Sequence, residues 1–514
     1  MRAFQYSCRT GSIVCVLVAT MLTACGGGSG GANTSNNGSI GGGNSGGGSP
    51  GSYTVGGTIS GLSASGLVLT DNGGDSLSVP PGTTDFAFAT ALSSGTAYDV
   101  AVETQPSGES CSVTNGSGTI NDADATNVQI ACSSTANGTT ASETVLYSFT
   151  GGSDGSSPLG GLIMDQTGNL YGTTSAGGAD NDGTVFKVTP SGTEMVLYSF
   201  TFGYDAADPD SGLTMDSAGN LYGATTDGGG LDLGTVFKVT PSGAETVLYR
   251  FTGGSDGSEP TGGLIMDGAG NLYGTTSSDG AYKNGTVFKL ASSGTESTLY
   301  AFIRGGVSGY KSGRLLMDSA GNLYGTTAYS GPYGEGTVFK LTPSGTETVL
   351  YSFMGASDGG QPQAGVVMDS AGNLYGTTST GGAHNAGTVY ELSASGTESV
   401  LYSFCTIPDG AGGCTDGDDP GPLTMDSAGN LYGMTESGGD TNGTSYVYGY
   451  GEVFKLTLSG TFTVLYRFTG GSDGGDIGNN MSTGRLVLDS AGNIYGTTNG
   501  GGAYGNGTVF KIQP

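Results

Sequence analysis

The stretch MDSAGNLYGTT, residues 368–378, returns in near-copies along most of the chain. The copies beginning at Met164, Met215, Met266 and Leu488 read MDQTGNLYGTT, MDSAGNLYGAT, MDGAGNLYGTT and LDSAGNIYGTT. Aspartate accepts backbone hydrogen bonds in tight turns, and glycine supplies the positive φ that such turns require. Turn chemistry accounts for every residue type in the stretch. We therefore interpret it as one structural part used many times, and not as a catalytic motif.

Each copy belongs to a unit of about 51 residues, the spacing from Tyr171 to Tyr222, that contains four β-like runs. In the first unit the runs are GLIMD (161–165), NLYGTT (169–174), GTVFKV (183–188) and MVLYSF (195–200). Four strands per unit are the pattern of a β-propeller blade. The NLYG-type run occurs seven times, with its tyrosine at Tyr171, Tyr222, Tyr273, Tyr324, Tyr375, Tyr432 and Tyr495. The repeat thus predicts an all-β, seven-bladed β-propeller over residues 144–514.

The copies of the VLYSF-type run are offset by one unit from the copies of the other three runs. Its first copy, TVLYSF at 144–149, precedes the first complete unit, and the chain stops at GTVFKIQP (507–514) without a last copy. We predict that this N-terminal strand pairs into the last blade, because such a clasp removes exposed strand edges and closes a ring. An open solenoid is the alternative, but it needs atypical capping units that the repeats do not show.

These units resemble the Gloeo/Verruco (GloVer) tandem-repeat proteins through their GxVF(K), VLYSF and MDxxGNLYGTT runs. The resemblance covers residues 144–514. It implies a repeat-built, exported protein of a family whose members carry varied surface anchors.

The N-terminus carries the pattern of a processing signal. In residues 1–24 a basic start precedes an apolar run that is too short to span a bilayer, and LTAC at 22–25 resembles a bacterial lipobox. This resemblance implies lipidation of Cys25, and Gly26 implies sorting to the outer membrane. Residues 25–52, rich in glycine, serine and asparagine, are predicted to form a flexible tether. We expect an outer-membrane lipoprotein of a Gram-negative-type bacterium.

Residues 53–135 lack the repeat and carry short β-like runs between glycine, proline and asparagine turns. They predict a small β-sandwich-like domain, which we interpret as a spacer. Four cysteines remain besides those of the signal and Cys25, an even number suited to an oxidising compartment. We predict two disulfides, Cys111–Cys132, tying the last hairpin of that domain, and Cys405–Cys414.

Composition limits the partners. The chain has 15 Lys and Arg against 44 Asp and Glu, a formal charge of −29, and no tryptophan. That balance argues against nucleic acid or an anionic lipid surface as the main partner. We expect a monomer that meets the membrane only through the lipid on Cys25 and binds an unidentified glycan or surface protein.

Differences among the units indicate where a function would lie. The connections between the first and second runs and between the third and fourth runs have constant length, whereas the other two vary. Alternate connections of an up-and-down blade lie on opposite faces, so all insertions fall on one face. We call it the loop face; in the first repeats it carries connections such as 175–182 and 201–212. Binding loops on a rigid frame vary in this way. Neutral tolerance of insertions is the alternative, because long surface loops cost little free energy.

Nine tyrosines lie in these variable connections, where exposed rings suit stacking and hydrogen bonding to a partner. They are Tyr204, Tyr282, Tyr310, Tyr329, Tyr333, Tyr446, Tyr448, Tyr450 and Tyr504. TSYVYGYGE (444–452) is the richest run, since its three alternating tyrosines would face one side of an extended segment. The insertions around Cys405–Cys414 and Asp476–Met481 flank it. Repeats five to seven are therefore the expected rim of a binding site.

Catalytic signals are few. GGSDG at 151–155 matches G-x-S-x-G, but no helix follows it and His384 is the only histidine. His384 and Asp416 remain the candidates for the alternative function, an exported hydrolase or lyase on the same face. The lyase follows from a resemblance to seven-bladed streptogramin lyases. An exposed histidine and a turn-forming aspartate are the simpler interpretations, so we favour a binding protein over an enzyme.

The run DGDDP (416–420) offers the only metal candidate. It places Asp416, Asp418 and Asp419 close together, and oxygen-rich loops can hold calcium. The spacing does not fit an EF-hand. We expect no cofactor, with calcium as the alternative.

Overall fold

The computed structural model describes residues 52–62, 66–106, 109–134, 141–201, 203, 205–303, 313–406, 414–438, 449–475 and 484–514. All regular elements in these ranges are β-strands, and the ranges contain no helix. Accordingly, no helix among them is long and apolar enough to cross a membrane. The predicted signal peptide, Cys25 and the tether lie outside the described residues.

Seven antiparallel sheets form from residues 142–514, six of them with four strands and the sixth in chain order with an additional short strand, Asp418–Pro420, and one repeat supplies most of each sheet. Sheets 1 to 3 consist of Ile163–Met164, Leu170–Thr174, Thr184–Val188 and Glu194–Ser199; Thr214–Met215, Leu221–Thr225, Thr235–Val239 and Glu245–Arg250; Gly262–Met266, Leu272–Thr276, Thr286–Leu290 and Glu296–Ala301. Sheets 4 and 5 consist of Leu316–Met317, Leu323–Thr327, Thr337–Leu341 and Glu347–Ser352; Val367–Met368, Leu374–Thr378, Thr388–Leu392 and Glu398–Ser403. Sheets 6 and 7 consist of Thr424–Met425, Leu431–Ser437, Glu452–Leu456 and Phe462–Arg467; Val487–Leu488, Ile494–Thr498, Thr508–Gln513 and Ser142–Ser148.

The fourth strand of sheet 7 comes from the other end of the repeat region, as the sequence predicts. Ser142–Ser148 pairs antiparallel with Thr508–Gln513, from Ser142 opposite Gln513 to Ser148 opposite Thr508. The next residue, Phe149, is fully buried against Phe186 and Val509. An N-terminal segment thus joins the edge of the C-terminal sheet.

Seven apolar clusters connect these sheets, and each draws its residues from two consecutive sheets. One cluster joins sheet 1 to sheet 2 through Val185 and Phe237, for example. Another joins sheet 7 back to sheet 1 through Val509 and Leu170. The packing contacts between sheets therefore run in a closed cycle.

The same aromatic pair recurs at each of these sheet–sheet contacts. A ring that follows the fourth strand of one sheet meets a ring on the third strand of the next, edge to face, with centroids 5.0 to 5.6 Å apart. The pairs are Phe149–Phe186, Phe200–Phe237, Phe251–Phe288, Phe302–Phe339, Phe353–Tyr390, Phe404–Phe454 and Phe468–Phe510. Such pairs add about 0.5–1.5 kcal/mol each beyond the burial of their area.

Tyr390 is the one tyrosine in this set, and its hydroxyl is buried with no hydrogen-bond partner among the described residues. We expect Tyr390→Phe to raise the free energy of unfolding by about 1 kcal/mol, because it removes a buried hydroxyl without a hydrogen-bond partner. The change also gives this position the phenylalanine ring that the other six pairs have there. Urea denaturation measures this change. Tyr375→Phe is the matched control: it deletes a hydroxyl that donates to Asp369 and should destabilise. A lower stability of Tyr390→Phe would contradict the prediction.

The MDxxGN segments are turns between the first and second strands, as predicted. Asp165 accepts hydrogen bonds from the backbone N–H groups of Thr167 and Asn169, from the Asn169 amide and from the Tyr171 hydroxyl, and Gly168 has a φ of 82°. Burial alone would raise the pKa of Asp165, but these donors hold it below its usual value. The equivalent tyrosine and aspartate are bonded in all seven repeats, with O···O distances of 2.9 to 3.1 Å.

Residues 52–134 form two further four-stranded sheets around one apolar core. In order across each sheet, their strands are Asp85–Ala87, Val55–Ser60, Ala125–Ser134 and Glu109–Thr114; Asp75–Val79, Leu67–Asp71, Ala97–Thr104 and Ser117–Thr119, with Ser52–Tyr53 paired to Leu92–Ser93. Cys111 and Cys132 are bonded and lie opposite each other on adjacent strands. The prediction that they tie a hairpin is wrong, because the intervening strand Ser117–Thr119 belongs to the other sheet.

Candidate functional site

In six of the seven repeats the two variable connections lie side by side, so they share one face as predicted. Backbone bridges join them at Ser156 and Ala176, Ser258 and Ser278, Gly360 and Thr380, and Gly475 and Gly500. In the second and sixth repeats, short strands make the same contact: Ala206–Ala207 with Asp227–Gly228, and Asp418–Pro420 with Leu431–Ser437. The three insertions that define the expected rim fall largely on 407–413, 439–448 and 476–483, outside the described residues.

One position of the loop face is exposed in each of the six repeats where it is described. It lies nine residues after the NLYG-type tyrosine, at the tip of the connection between the second and third strands. We call these the tip residues: Asp180, Leu231, Tyr282, Tyr333, His384 and Tyr504. The three tyrosines are 52%, 59% and 63% exposed, and Leu231 is 63% exposed. The tips therefore display aromatic and apolar surface to solvent.

Local backbone geometry holds the tip residues outward. The residue after each tip has a positive φ: Asn181, Asp232, Lys283, Gly334, Asn385 and Gly505. Where that residue is Asn181, Asp232 or Asn385, its side-chain oxygen also accepts a hydrogen bond from the backbone N–H four residues earlier, at 3.0 to 3.1 Å. Asparagine and aspartate tolerate this conformation and close such turns. The tips are thus displayed on short, internally bonded turns.

The other predicted binding tyrosines divide into two groups. Tyr329 is half-buried, and Tyr450 is half-buried with its ring against Gly470 and the cluster between sheets 6 and 7. Both rings are thus only partly displayed, and their role in binding stays a prediction. Tyr204, Tyr310, Tyr446 and Tyr448 lie outside the described residues.

A second repeated arrangement anchors the base of the loop face. A tyrosine hydroxyl on the fourth strand donates to an aspartate of the following connection at 2.7 to 3.1 Å, as in the Tyr147–Asp154 pair. Threonine completes the arrangement: the backbone N–H and hydroxyl of Thr150 both donate to Asp154. The pairs are Tyr147–Asp154, Tyr198–Asp205, Tyr249–Asp256, Tyr351–Asp358, Tyr402–Asp416 and Tyr466–Asp473. These aspartates recur at a regular spacing in several repeats, but their pairing with tyrosine follows only from the fold.

Asp416 belongs to this structural set, which argues against the catalytic role considered for it. Its side chain is 3% exposed and accepts hydrogen bonds from the Tyr402 hydroxyl and from the N–H and hydroxyl of Thr406. The nearby Cys405–Cys414 disulfide is formed, as predicted. His384 is exposed at its tip. The structure does not bring the two candidates together in any described cavity.

The calcium candidates gain no support from the arrangement. The described part of the chain contains no group of three His, Cys, Asp or Glu side chains placed to hold one metal ion. Asp418 lies in a short strand, where burial raises its pKa, and Asp419 has a positive φ of 46° in the same strand.

Glutamates beside the base aspartates have shifted pKa values. Burial, and then the charge of a neighbouring aspartate, raises the pKa of four of them from 4.5 to about 7. The pairs are Glu143 with Asp473, Glu194 with Asp154, Glu245 with Asp205, and Glu398 with Asp358. One carboxylate of each pair is thus partly protonated near neutral pH. The acid pairs follow only from the fold, because the two members of each pair lie 40 or more residues apart in the sequence.

These shifts predict a stability maximum on the acid side of neutrality. Because the folded-state pKa of the glutamates is raised, their contribution is fully present below about pH 4.5 and is lost as the pH rises through 7. Because the turn aspartates have a lowered pKa, their contribution is present above 3.8 and is lost as the pH falls through the folded value. We expect Tm to be highest near pH 4–5 and several degrees lower near pH 8.

Thermal unfolding at pH values across this range measures the change in Tm. Glutamine variants show whether the glutamates cause the decline above pH 5. A triple variant with Glu194→Gln, Glu245→Gln and Glu398→Gln should lose much of the decline between pH 5 and 8. Asp180→Asn, at an exposed tip, should keep the wild-type profile. An unchanged profile in the triple variant would contradict the assignment.

These features define an all-β tandem-repeat protein of four-stranded antiparallel sheets, with one face of displayed loops. Its two disulfides are typical of proteins from oxidising compartments and are consistent with export. The chain belongs to the Gloeobacter/Verrucomicrobia repeat family, whose repeat matches residues 98–319, 254–444 and 310–514.

Solved structures with partial similarity are of several kinds. A gluconolactonase from Xanthomonas campestris is 14% identical with a TM-score of 0.34, over 58% of this chain and 82% of that chain. PorZ, a surface component of the type-IX secretion system of Porphyromonas gingivalis, is 13% identical with a TM-score of 0.43, over 82% of this chain and 61% of that chain. No curated protein matches the sequence.

Proposed function

We propose that this protein is a lipid-anchored, outer-membrane binding protein that uses the loop face of a seven-bladed β-propeller to hold a glycan or protein partner. The lipid on Cys25 and the tether of residues 25–52 would place the repeat region away from the bilayer. Residues 53–135 would act as a β-sandwich-like spacer. We infer a non-enzymatic protein, because the aspartates at the base of the loop face accept hydrogen bonds within the fold; its expected state is a monomer.

Two observations support the propeller. Seven sheets of one strand order are joined by apolar clusters in a closed cycle, and the last cluster returns to sheet 1. Ser142–Ser148 supplies the fourth strand that the last repeat lacks, so Thr508–Gln513 is not left as an unpaired edge strand. Closed, symmetric packing of this kind is how propellers protect their strand edges.

The observation that carries the binding role is the set of exposed tips. Tyr282, Tyr333 and Tyr504 occupy the same position in three repeats, each in a turn where the next residue donates its backbone N–H to the carbonyl two residues before the tip. A rigid tyrosine offers a large contact area at low entropic cost, which is why binding loops favour it. Since the net charge is −29, a neutral or basic ligand surface is favoured over a polyanion.

Loss of ligand binding in a tip variant tests this proposal. A ligand is first identified by glycan array and by pull-down of surface proteins with residues 53–514. We then expect the triple variant Tyr282→Ser, Tyr333→Ser and Tyr504→Ser to bind roughly 100-fold more weakly, from about 1 kcal/mol per ring. Titration calorimetry measures the affinity, and circular dichroism verifies the fold.

A matched control comes from an exposed apolar residue away from the loop face. Leu458 is 40% exposed in the turn between the third and fourth strands of sheet 6, so Leu458→Ser should leave affinity unchanged. A second triple variant, Tyr446→Ser, Tyr448→Ser and Tyr450→Ser, tests the rim predicted on repeats five to seven. Unchanged affinity in both tyrosine variants would reject the loop face as the binding surface.

The anchor has its own test. Cys25→Ser should move the protein from the outer-membrane fraction to a soluble fraction, because lipid attachment requires the cysteine thiol. Cell fractionation measures where the protein is found, and mass spectrometry of the mature N-terminus shows whether lipid is attached. Membrane association that persists in Cys25→Ser would reject lipid anchoring through this residue.

A further inference from the structure

Two arginines stand at a position that is otherwise filled by residues without a charged side chain. The position lies four residues before the aspartate of each MDxxGN turn, next to the first strand of the sheet. Arg314 occupies it in the fourth repeat and Arg485 in the seventh. The remaining repeats have Gly161, Gly212, Gly263, Gly365 and Pro422 there. Turn and strand formation therefore do not require arginine at this position.

Both arginines line the same two adjoining cavities, of about 730 and 170 Å³. First-strand segments from six of the seven repeats contribute to the walls, which are otherwise mostly Leu, Ile, Val and Met side chains. The larger cavity extends to the MDxxGN turns of sheets 1 and 7, where Asp165 and Asp489 are exposed to it. The two guanidinium groups thus face the same open cavities, whose lining is partly polar and partly apolar.

Neither arginine has a carboxylate partner among the described residues. The ion pairs in that part of the chain are Lys283–Asp279 and Arg467–Glu452. Asp165 and Asp489 line the larger cavity, but each accepts hydrogen bonds on both oxygens from its own turn and forms no ion pair with either arginine.

Most of the donor capacity of the two guanidinium groups is also unused within the described residues. Arg314 donates one Nη2–H to the Leu264 carbonyl at 3.1 Å, and its buried Nε has no partner. Arg485 donates its Nε–H to the Thr424 hydroxyl at 3.1 Å. A guanidinium group carries five N–H donors. The single bonds orient each side chain and leave donors available to a ligand.

The uncompensated charge is costly without a ligand. Burial, and then the positive charge of Arg485, lowers the pKa of Arg314 to about 10, so both groups remain charged at neutral pH. Two like charges in a partly desolvated cavity repel each other and lack the hydration they would have in water. This arrangement stands out in a chain with only 15 basic residues against 44 acidic ones. An anion between the two groups would remove both penalties.

We propose that Arg314 and Arg485 form an anion-binding site that holds the carboxylate, sulfate or phosphate group of a ligand in the cavity lined by the first strands. Arginine matches the planar geometry of such oxyanions and binds them through paired N–H donors. The apolar walls would accommodate the uncharged part of the ligand. This site shares no residue with the loop-face tips, so its test and the test of the proposed binding function are independent.

Replacing both arginines by glycine tests the site with little risk to the fold, since four other repeats already have glycine at this position. Inorganic sulfate, phosphate and acetate are the probes, compared with chloride at equal ionic strength. For the wild type we expect saturable binding by calorimetry and a Tm increase of a few degrees at saturation. The variant Arg314→Gly with Arg485→Gly should show no saturable binding and should lack the Tm increase that results from such binding. In chloride buffer it should be at least as stable as the wild type.

Sulfate and phosphate also stabilise proteins non-specifically, so the comparison among variants decides the outcome. Lys283→Gln with Lys340→Gln removes the same charge outside both cavities and should keep the wild-type response. Equal responses in all three proteins would overturn the proposal, as would the absence of saturable binding of all three probes to the wild type. If the glycine variant fails to fold, the pair Arg314→Gln and Arg485→Gln takes its place. A response to acetate alone assigns a carboxylate ligand, whereas a response to sulfate or phosphate assigns a tetrahedral oxyanion.

Discussion

A chain that begins at Gly151 is expected to aggregate or to lose most of its free energy of unfolding. The truncation removes Ser142–Ser148, so Thr508–Gln513 becomes an exposed edge strand with unpaired backbone groups. It also removes Phe149, which is fully buried against Phe186 and Val509. Loss of a buried phenylalanine side chain alone costs about 3–5 kcal/mol, and an open hydrophobic edge promotes association with other chains.

The control for this truncation is a chain that begins at Ala141 and keeps the clasp. It lacks the same N-terminal region, so any difference between the two isolates the contribution of residues 141–150. Thermal unfolding and sedimentation velocity compare them. Phe149→Ala in the full chain supplies a milder variant, with an expected loss of about 3–5 kcal/mol. Equal melting of the two truncated chains would contradict the clasp and, with it, the closed propeller.

Near pH 9, Arg467→Ala is expected to cost about 3–5 kcal/mol of unfolding free energy, because it leaves the ionised carboxylate of Glu452 buried without a counter-charge. Glu452 is fully buried, and its Oε2 lies 3.4 Å from Nε of Arg467. Burial raises the pKa of Glu452 to about 8, Arg467 opposes this shift, and Asp416 and Asp418 add to it. Protonation would relieve the unpaired charge, so the loss should be larger near pH 9 than near pH 5. Chemical denaturation at both pH values measures it.

Other repeats provide the control for this ion pair. Where the sixth repeat has Glu452 and Arg467, the fourth has Thr337 and Ser352, which pair on adjacent strands. The double variant Glu452→Thr with Arg467→Ser should therefore lie within about 1 kcal/mol of the wild type, since replacing both partners leaves no buried charge. A double variant as unstable as Arg467→Ala would show that the loss comes from packing and not from the unpaired carboxylate.

Much of the fold was predictable because its signals are local and recur. Alternating β-branched and aromatic residues define the strands, and the Asp–Asn–Tyr chemistry of the MDxxGN turn repeats without change. The constant and variable connection lengths also identify the loop face from the sequence, because the lengths can be compared among the repeats of this one chain.

Local patterns and the number of repeats are enough to predict the strands, the turns, both disulfides and the pairing of the two ends. Which side chains are available for function follows only from the packed fold. Tyr450 packs against Gly470, Asp416 accepts a hydrogen bond from Tyr402, and Arg314 and Arg485 line one cavity. These contacts join different repeats. Spacing within a repeat does not encode such contacts, because they arise only when sheets pack around shared space.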